Sequence, residues 1–137
     1  MDISNTVKEH HSDGAMVFSC QYHVVFTTKY RRSVLDDTMA VELKRCVFEK
    51  QKEYGYEVLE MEVMPDHVHL LLDVNPKIGV YHVVSQIKGY TSKVLRDKFP
   101  SLVSKLPCLW TRSKFISTCG SVSLESVKRY IEDQKGK

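Results

Sequence analysis

A chain of 137 residues is long enough to bury a real core as one domain and too short for separate substrate, cofactor and regulatory modules. Its 42% hydrophobic and 27% charged residues exclude a disordered, collagenous or coiled-coil chain, and no apolar run approaches the ~20 residues of a membrane span. The net charge of +3 permits a nucleic-acid partner without requiring one, and Cys20, Cys46, Cys108 and Cys119 lack the Cys-x-x-Cys spacing of a zinc knuckle.

Residues 1–15 are polar and read as a flexible N-terminal lead-in, with 16–137 as a single domain. Met16 to Thr28 is rich in β-formers and reads as a first strand, closed by the basic run Lys29-Tyr30-Arg31-Arg32. Helical spacing of Met39, Leu43, Cys46 and Val47 predicts a helix from about Asp36 to Tyr54, stopped by Gly55. Tyr56 to Met64 alternates, with Leu59, Met61 and Val63 on one side and Glu60 and Glu62 on the other. Met64-Pro65-Asp66 punctuates the chain, and His67 to Val74 is a third strand, joined to the second as an antiparallel hairpin.

A second helix is expected from about Val80 to Phe99, with Pro100 beyond it and an irregular segment over 100–108. Leu109 to Cys119, with Trp110, Phe115 and Ile116, reads as the last strand. Ser121 or Ser123 can cap a final helix carrying Leu124, Val127, Tyr130, Ile131 and Gln134. The order β-α-β-β-α-β-α is an α+β, ferredoxin-like (RRM-like) split β-α-β arrangement. It implies an antiparallel sheet with helices on one face and an extra C-terminal helix that carries a tyrosine.

Two features bear on chemistry. In His67-Val68-His69 the strand period puts both imidazoles on one face and Val68, Leu70 and Leu72 on the other, so the pair can converge on one metal ion or simply be hydrogen-bonded strand histidines. On the last helix, Gln134 follows Tyr130 at i+4, at the margin of the Leu124/Val127/Ile131 stripe. An amide oxygen suits a hard cation and a phenolic oxygen can act as a nucleophile, yet a tyrosine at the edge of a terminal helix is also an ordinary packing residue.

The strings Tyr22-His23-Val24-Val25-Phe26, Lys29-Tyr30-Arg31 and Glu62-Val63-Met64-Pro65-Asp66-His67-Val68-His69-Leu70 occur in that order. Gln86-Ile87-Lys88-Gly89, Leu109-Trp110, Phe115, Thr118-x-Gly120 and Tyr130-Ile131-Glu132-x-Gln134 follow. Jointly, over about residues 20–134, the chain resembles the single-tyrosine HUH transposases of small bacterial insertion sequences that move as single-stranded DNA. The resemblance implies a metal-dependent endonuclease and strand transferase. His67, His69 and Gln134 would hold Mg²⁺, or Mn²⁺ in its place, and Tyr130 would be the nucleophile forming a 5′-phosphotyrosine intermediate. No nucleotide cofactor is expected, and no phosphate-binding Gly-rich loop is present in the sequence.

The resemblance further implies single-stranded DNA with subterminal hairpins as substrate and a homodimer whose active sites are shared between subunits. No membrane association is expected, and the unpaired cysteine spacing leads to the expectation of a reduced, cytoplasmic protein. Lys29, Tyr30, Arg31, Arg32, Lys88, Lys93, Trp110, Arg112 and Lys114 together could form a DNA-tracking surface with stacking partners, although each singly is more simply a solvated side chain. Lys114 stands where family members often carry an aromatic, which puts local DNA contacts in doubt. Alternatives are a domesticated relative acting on chromosomal hairpin repeats, or a non-enzymatic ferredoxin-like RNA- or DNA-binding module. A zinc hydrolase would need a third strong ligand and a general base that the sequence does not place.

Overall fold

The computed structural model describes residues 11–12, 17–119 and 124–136. The elements in chain order are β1 (His11–Ser12), β2 (Val17–Phe18), β3 (Gln21–Thr27), α1 (Asp37–Glu49), α2 (Gln51–Tyr54), β4 (Tyr56–Met64), β5 (His67–Val74), α3 (Val80–Lys98), α4 (Pro100–Lys105), β6 (Phe115–Thr118) and α5 (Leu124–Asp133). β4, β5, β3 and β6 lie side by side in that order, each antiparallel to its neighbour, which is the α+β sheet the element order implies.

The alternation of β3 and β5 sorts the sheet into two faces. Val24 and Phe26 on β3 and Val68, Leu70 and Leu72 on β5 enter the core with Leu43, Val47, Val83, Val84, Ile87 and Leu95 from α1 and α3. The other face carries His23 and Val25, His67 and His69, and Phe115, because residues paired across the ladder share a side: Val25 stands opposite both His69 and Phe115. Val25 is fully buried there too.

Several boundaries differ from the sequence reading, each for a local reason. The first strand divides: β1 and β2 form a small antiparallel ladder of their own, and β3 starts at Gln21. The expected lead-in over residues 1–15 lies outside the described residues apart from His11 and Ser12, as do the Ser121 and Ser123 caps and Gly120. The first helix begins where expected, with the Asp36 side chain accepting from the Met39 amide at 2.9 Å, and is interrupted at Lys50 before α2. Gly55 ends α2 in the left-handed region, φ 81°, where an added Cβ would come within 2.2 Å of Ile78.

In β4 the pairing register shifts between Val58 and Glu60. Such a bulge resets the alternation, so Val58, Met61 and Val63 pack against the core while Leu59 does not, correcting the expectation for Leu59. Residues 100–105 are helical rather than irregular: Pro100 occupies the first turn of α4, where its missing N–H costs nothing. Among the described residues no helix is long and apolar enough to cross a membrane.

Candidate active site

Two chain segments meet at the hairpin tip that precedes the histidine pair. Pro65 and Asp66 make the two-residue turn between β4 and β5, since Met64 pairs with His67. The turn is tied to the segment after β3: Asp66 O accepts from the Thr28 amide at 3.0 Å and Pro65 O from the Leu35 amide at 3.0 Å. Within that segment Tyr30 and Arg31 both take positive φ, 58° and 52°. Left-handed backbone costs a non-glycine residue about 1–2 kcal/mol, which the contacts of the folded segment must offset.

His67 and His69 share the outer face of β5, as the alternation requires. His67 Nδ1 lies 2.8 Å from Asp66 Oδ1. An ionised carboxylate only accepts, so the proton sits on Nδ1 and Nε2 keeps its lone pair free, the usual preparation of a metal-binding imidazole. His69 stacks on His23 of β3, with ring centroids 5.4 Å apart, and its Nε2 is 3.2 Å from His23 Nδ1. Burial holds both rings below the ordinary histidine pKa. For His69 the neighbouring His23 adds to this while Glu62 and Glu60 oppose it. Glu60, Glu62, His69 and Leu71 line a cleft on this side of the sheet.

Tyr130 and Gln134 meet at Ser113, which precedes β6. Ser113 Oγ donates to Gln134 Oε1 at 2.6 Å and lies 3.3 Å from Tyr130 Oη. A serine hydroxyl has one proton, and here it goes to the amide oxygen, so the tyrosine hydroxyl donates to Ser113. Gln134 is buried, the Tyr130 ring packs on Phe115 at 5.2 Å between centroids, and burial raises the phenol pKa. The helix therefore lies against its own chain, beside the row that runs from Phe115 through Val25 to His69.

Arg31 joins the two halves. Its Nε is 3.0 Å from Asp66 Oδ2, and its NH1 donates to the Ile131 carbonyl at 3.2 Å and lies 3.3 Å from Glu132 Oε2. Loop 111–113 has its own clamp: Lys88 Nζ donates to the carbonyls of Thr111, Arg112 and Ser113 at 2.7, 3.3 and 3.1 Å. Burial, with Lys114 adding to it, lowers the Lys88 pKa to about 8.

The other residues expected to touch DNA are placed as follows. Lys29 and Arg32 flank the exposed Tyr30 ring, 5.1 and 5.9 Å from its centroid. Lys93 and Arg112 are exposed, and Lys114 sits 4.5 Å over the ring of Tyr81. Trp110 corrects the expectation of a stacking surface. It is buried against Phe26 in an edge-to-face contact, with Nε1 donating to Thr91 Oγ1 at 3.0 Å, so its faces are committed to the core. Sequence reading gave no role to Ser113, Asp66 or His23. Only Asp66 carried a signal, as the carboxylate adjoining the histidine pair.

Among the described residues, no group of three His, Cys, Asp or Glu side chains is placed to hold a metal ion. In a donor set of two imidazoles and one amide oxygen, the amide oxygen suits Mg²⁺ or Mn²⁺, and three protein ligands leave positions open for water and phosphate on an octahedral ion. The oriented His67 and the second lone pair of Gln134 Oε1 fit that requirement, while His69 Nε2 faces His23 Nδ1 at 3.2 Å and would have to exchange that partner for the ion.

The sequence model of the family described as Transposase IS200 like matches residues 16–134. The ISDra2 transposase TnpA of Deinococcus radiodurans is 36% identical over 123 residues, covering 88% of each chain. The transposase for insertion sequence element IS200 of Salmonella typhimurium is 32% identical over 123 residues, covering 85% of this chain and 78% of that one. A crystal structure of a Deinococcus radiodurans transposase superposes with a TM-score of 0.83 at 32% identity, over 93% of this chain and 99% of that chain. A REP-associated tyrosine transposase bound to a REP hairpin shares the fold at a TM-score of 0.55 and 13% identity, over 89% of this chain and 69% of that chain.

Proposed function

This chain belongs to the IS200-like transposase family, and on that premise we propose that it cleaves and rejoins single-stranded DNA at the ends of an insertion sequence, with Tyr130 as the nucleophile. The observation that carries the reading is the Tyr130–Ser113–Gln134 cluster on one side of Arg31 and the Asp66–His67 pair on the other. A structural tyrosine at a helix edge has no need of a buried glutamine sharing its hydrogen-bond partner.

The Tyr130 oxygen attacks a backbone phosphorus. The phenol gives up its proton and the new O–P bond forms as the bond to the 3′ oxygen breaks; that oxygen takes up a proton, leaving a 5′-phosphotyrosine and a free 3′-hydroxyl, and attack by another strand's 3′-hydroxyl reverses the step without ATP. His67, His69 and Gln134 would hold Mg²⁺, or Mn²⁺, which when bound neutralises charge on the scissile phosphate. Asp66 fixes the His67 tautomer, Ser113 and Phe115 set the direction of the phenol, and burial raises its pKa. Lys29, Tyr30 and Arg32 offer two cations around an exposed ring, a suitable perch for an unpaired base and its phosphates.

Hairpin recognition and a homodimer that exchanges the tyrosine helix complete the proposal, both from the sequence resemblance. Mixed dimers with Tyr130→Phe in one subunit and His67→Ala in the other read the exchange. Function itself is tested by incubating the protein with a labelled single-stranded hairpin oligonucleotide and Mg²⁺. A denaturation-resistant protein–DNA adduct that EDTA prevents supports the reading; cleavage with no covalent link, or none at all, argues against it.

A further inference from the structure

Arg31 bonds the histidine strand and the tyrosine helix with one guanidinium. Its Nε faces Asp66 Oδ2, while Oδ1 of the same carboxylate holds His67 Nδ1. Its NH1 reaches the Ile131 carbonyl, in the last turn of α5, and the Glu132 carboxylate. A cation at that end of a helix satisfies a terminal carbonyl and meets the negative end of the helix dipole. The side chain is mostly buried, 18% exposed, as is Asp66. It reaches both partners from a backbone held at φ 52° beside Tyr30 at φ 58°, an uncommon conformation for two consecutive residues that both carry a Cβ.

We infer that Arg31 is a positioning residue that makes docking of the tyrosine helix and alignment of His67 a single event. The inference rests on the transposase reading of His67 and Tyr130. With α5 in place, Arg31 is held in the geometry that steadies Asp66, and through it the His67 ring. With α5 undocked, the guanidinium loses its carbonyl and Asp66 loses a fixed partner. Linkage makes the effect mutual: whatever loosens Asp66 also loosens the helix. Lysine cannot substitute, because a single ammonium on a flexible stem does not present the planar fork that spans a carboxylate and a carbonyl together.

The test uses the full chain without DNA and reads two quantities: hydrogen exchange of the α5 amides over residues 129–134, and Mn²⁺ binding by electron paramagnetic resonance. Arg31→Lys is expected to speed α5 exchange and to weaken Mn²⁺ binding about 10-fold, the usual cost of losing support behind a metal-binding histidine. Asp66→Asn is the decisive variant. Asp66 bonds to Arg31, His67 and the 28–32 segment, yet coupling predicts faster α5 exchange in this variant as well. Unchanged α5 exchange in Asp66→Asn, or in Arg31→Lys, overturns the inference. Wild-type protein that binds no Mn²⁺ counts against the metal reading, while the exchange measurements still decide the coupling.

Discussion

Ser113 stands between Tyr130 and Gln134, giving its single proton to the Gln134 amide oxygen at 2.6 Å and receiving the tyrosine hydroxyl at 3.3 Å. The hydroxyl is itself held by the loop that Lys88 clamps through three carbonyls. The proposed nucleophile and the proposed ligand are thus oriented by one group that is neither. Ser113→Ala should leave the fold intact and reduce adduct formation by about 10-fold, in the range seen when support behind a metal ligand is removed. Single-turnover cleavage of a hairpin oligonucleotide measures it, and wild-type rates in the variant would remove Ser113 from the mechanism.

Much of this was readable beforehand. β5 spans His67–Val74 as expected because its alternation is unbroken, and the same period placed both histidines opposite Val68 and Leu70. What the sequence hid are contacts between distant segments. Nothing local marks the bulge that turns Leu59 out of the core register, and Arg31, Asp66 and Ile131 meet only once the hairpin tip and last helix are folded. Trp110 misled for the same reason: within an expected strand from Leu109 to Cys119 it reads as a surface aromatic, but β6 begins only at Phe115, and the bridge to Thr28 and the contact with Phe26 carry Trp110 into the core.

Trp110 accordingly belongs to stability. Trp110→Ala should cost about 3–5 kcal/mol, as for other large buried aromatics reduced to alanine, with Thr91 Oγ1 losing its donor. Denaturant unfolding checks this. A variant as stable as wild type but weakened in DNA binding would restore the stacking role.

Tyr30, Lys29 and Arg32 carry the opposite expectation. Tyr30→Ala should weaken binding to a single-stranded oligonucleotide by about 1–3 kcal/mol, the range for loss of one stacked base. Lys29→Ala and Arg32→Ala should each reduce the slope of log affinity against log salt by about 0.7 for the phosphate contact removed. Fluorescence anisotropy over a salt series gives both numbers; slopes unchanged from wild type would place the DNA elsewhere.

The His23–His69 stack makes stability depend on pH. Burial lowers both pKa values from the ordinary 6.5, so the unfolded chain binds more protons than the folded one below that value. Their contribution is complete above pH 6.5 and is lost as the pH falls from there through the folded-state values. The wild-type Tm should drop between pH 7 and pH 5, and His23→Gln should show a shallower drop. Parallel curves for the two proteins would contradict the assignment.

The proposed reaction requires that Tyr130 becomes bonded to DNA. Proteolysis of the adduct formed with a hairpin oligonucleotide and Mg²⁺, followed by mass spectrometry, locates that bond. The expected result is a DNA 5′-phosphate on the peptide containing Tyr130 and no adduct with Tyr130→Phe. Cleavage at wild-type rates by Tyr130→Phe, or a bond to any other residue, would contradict it.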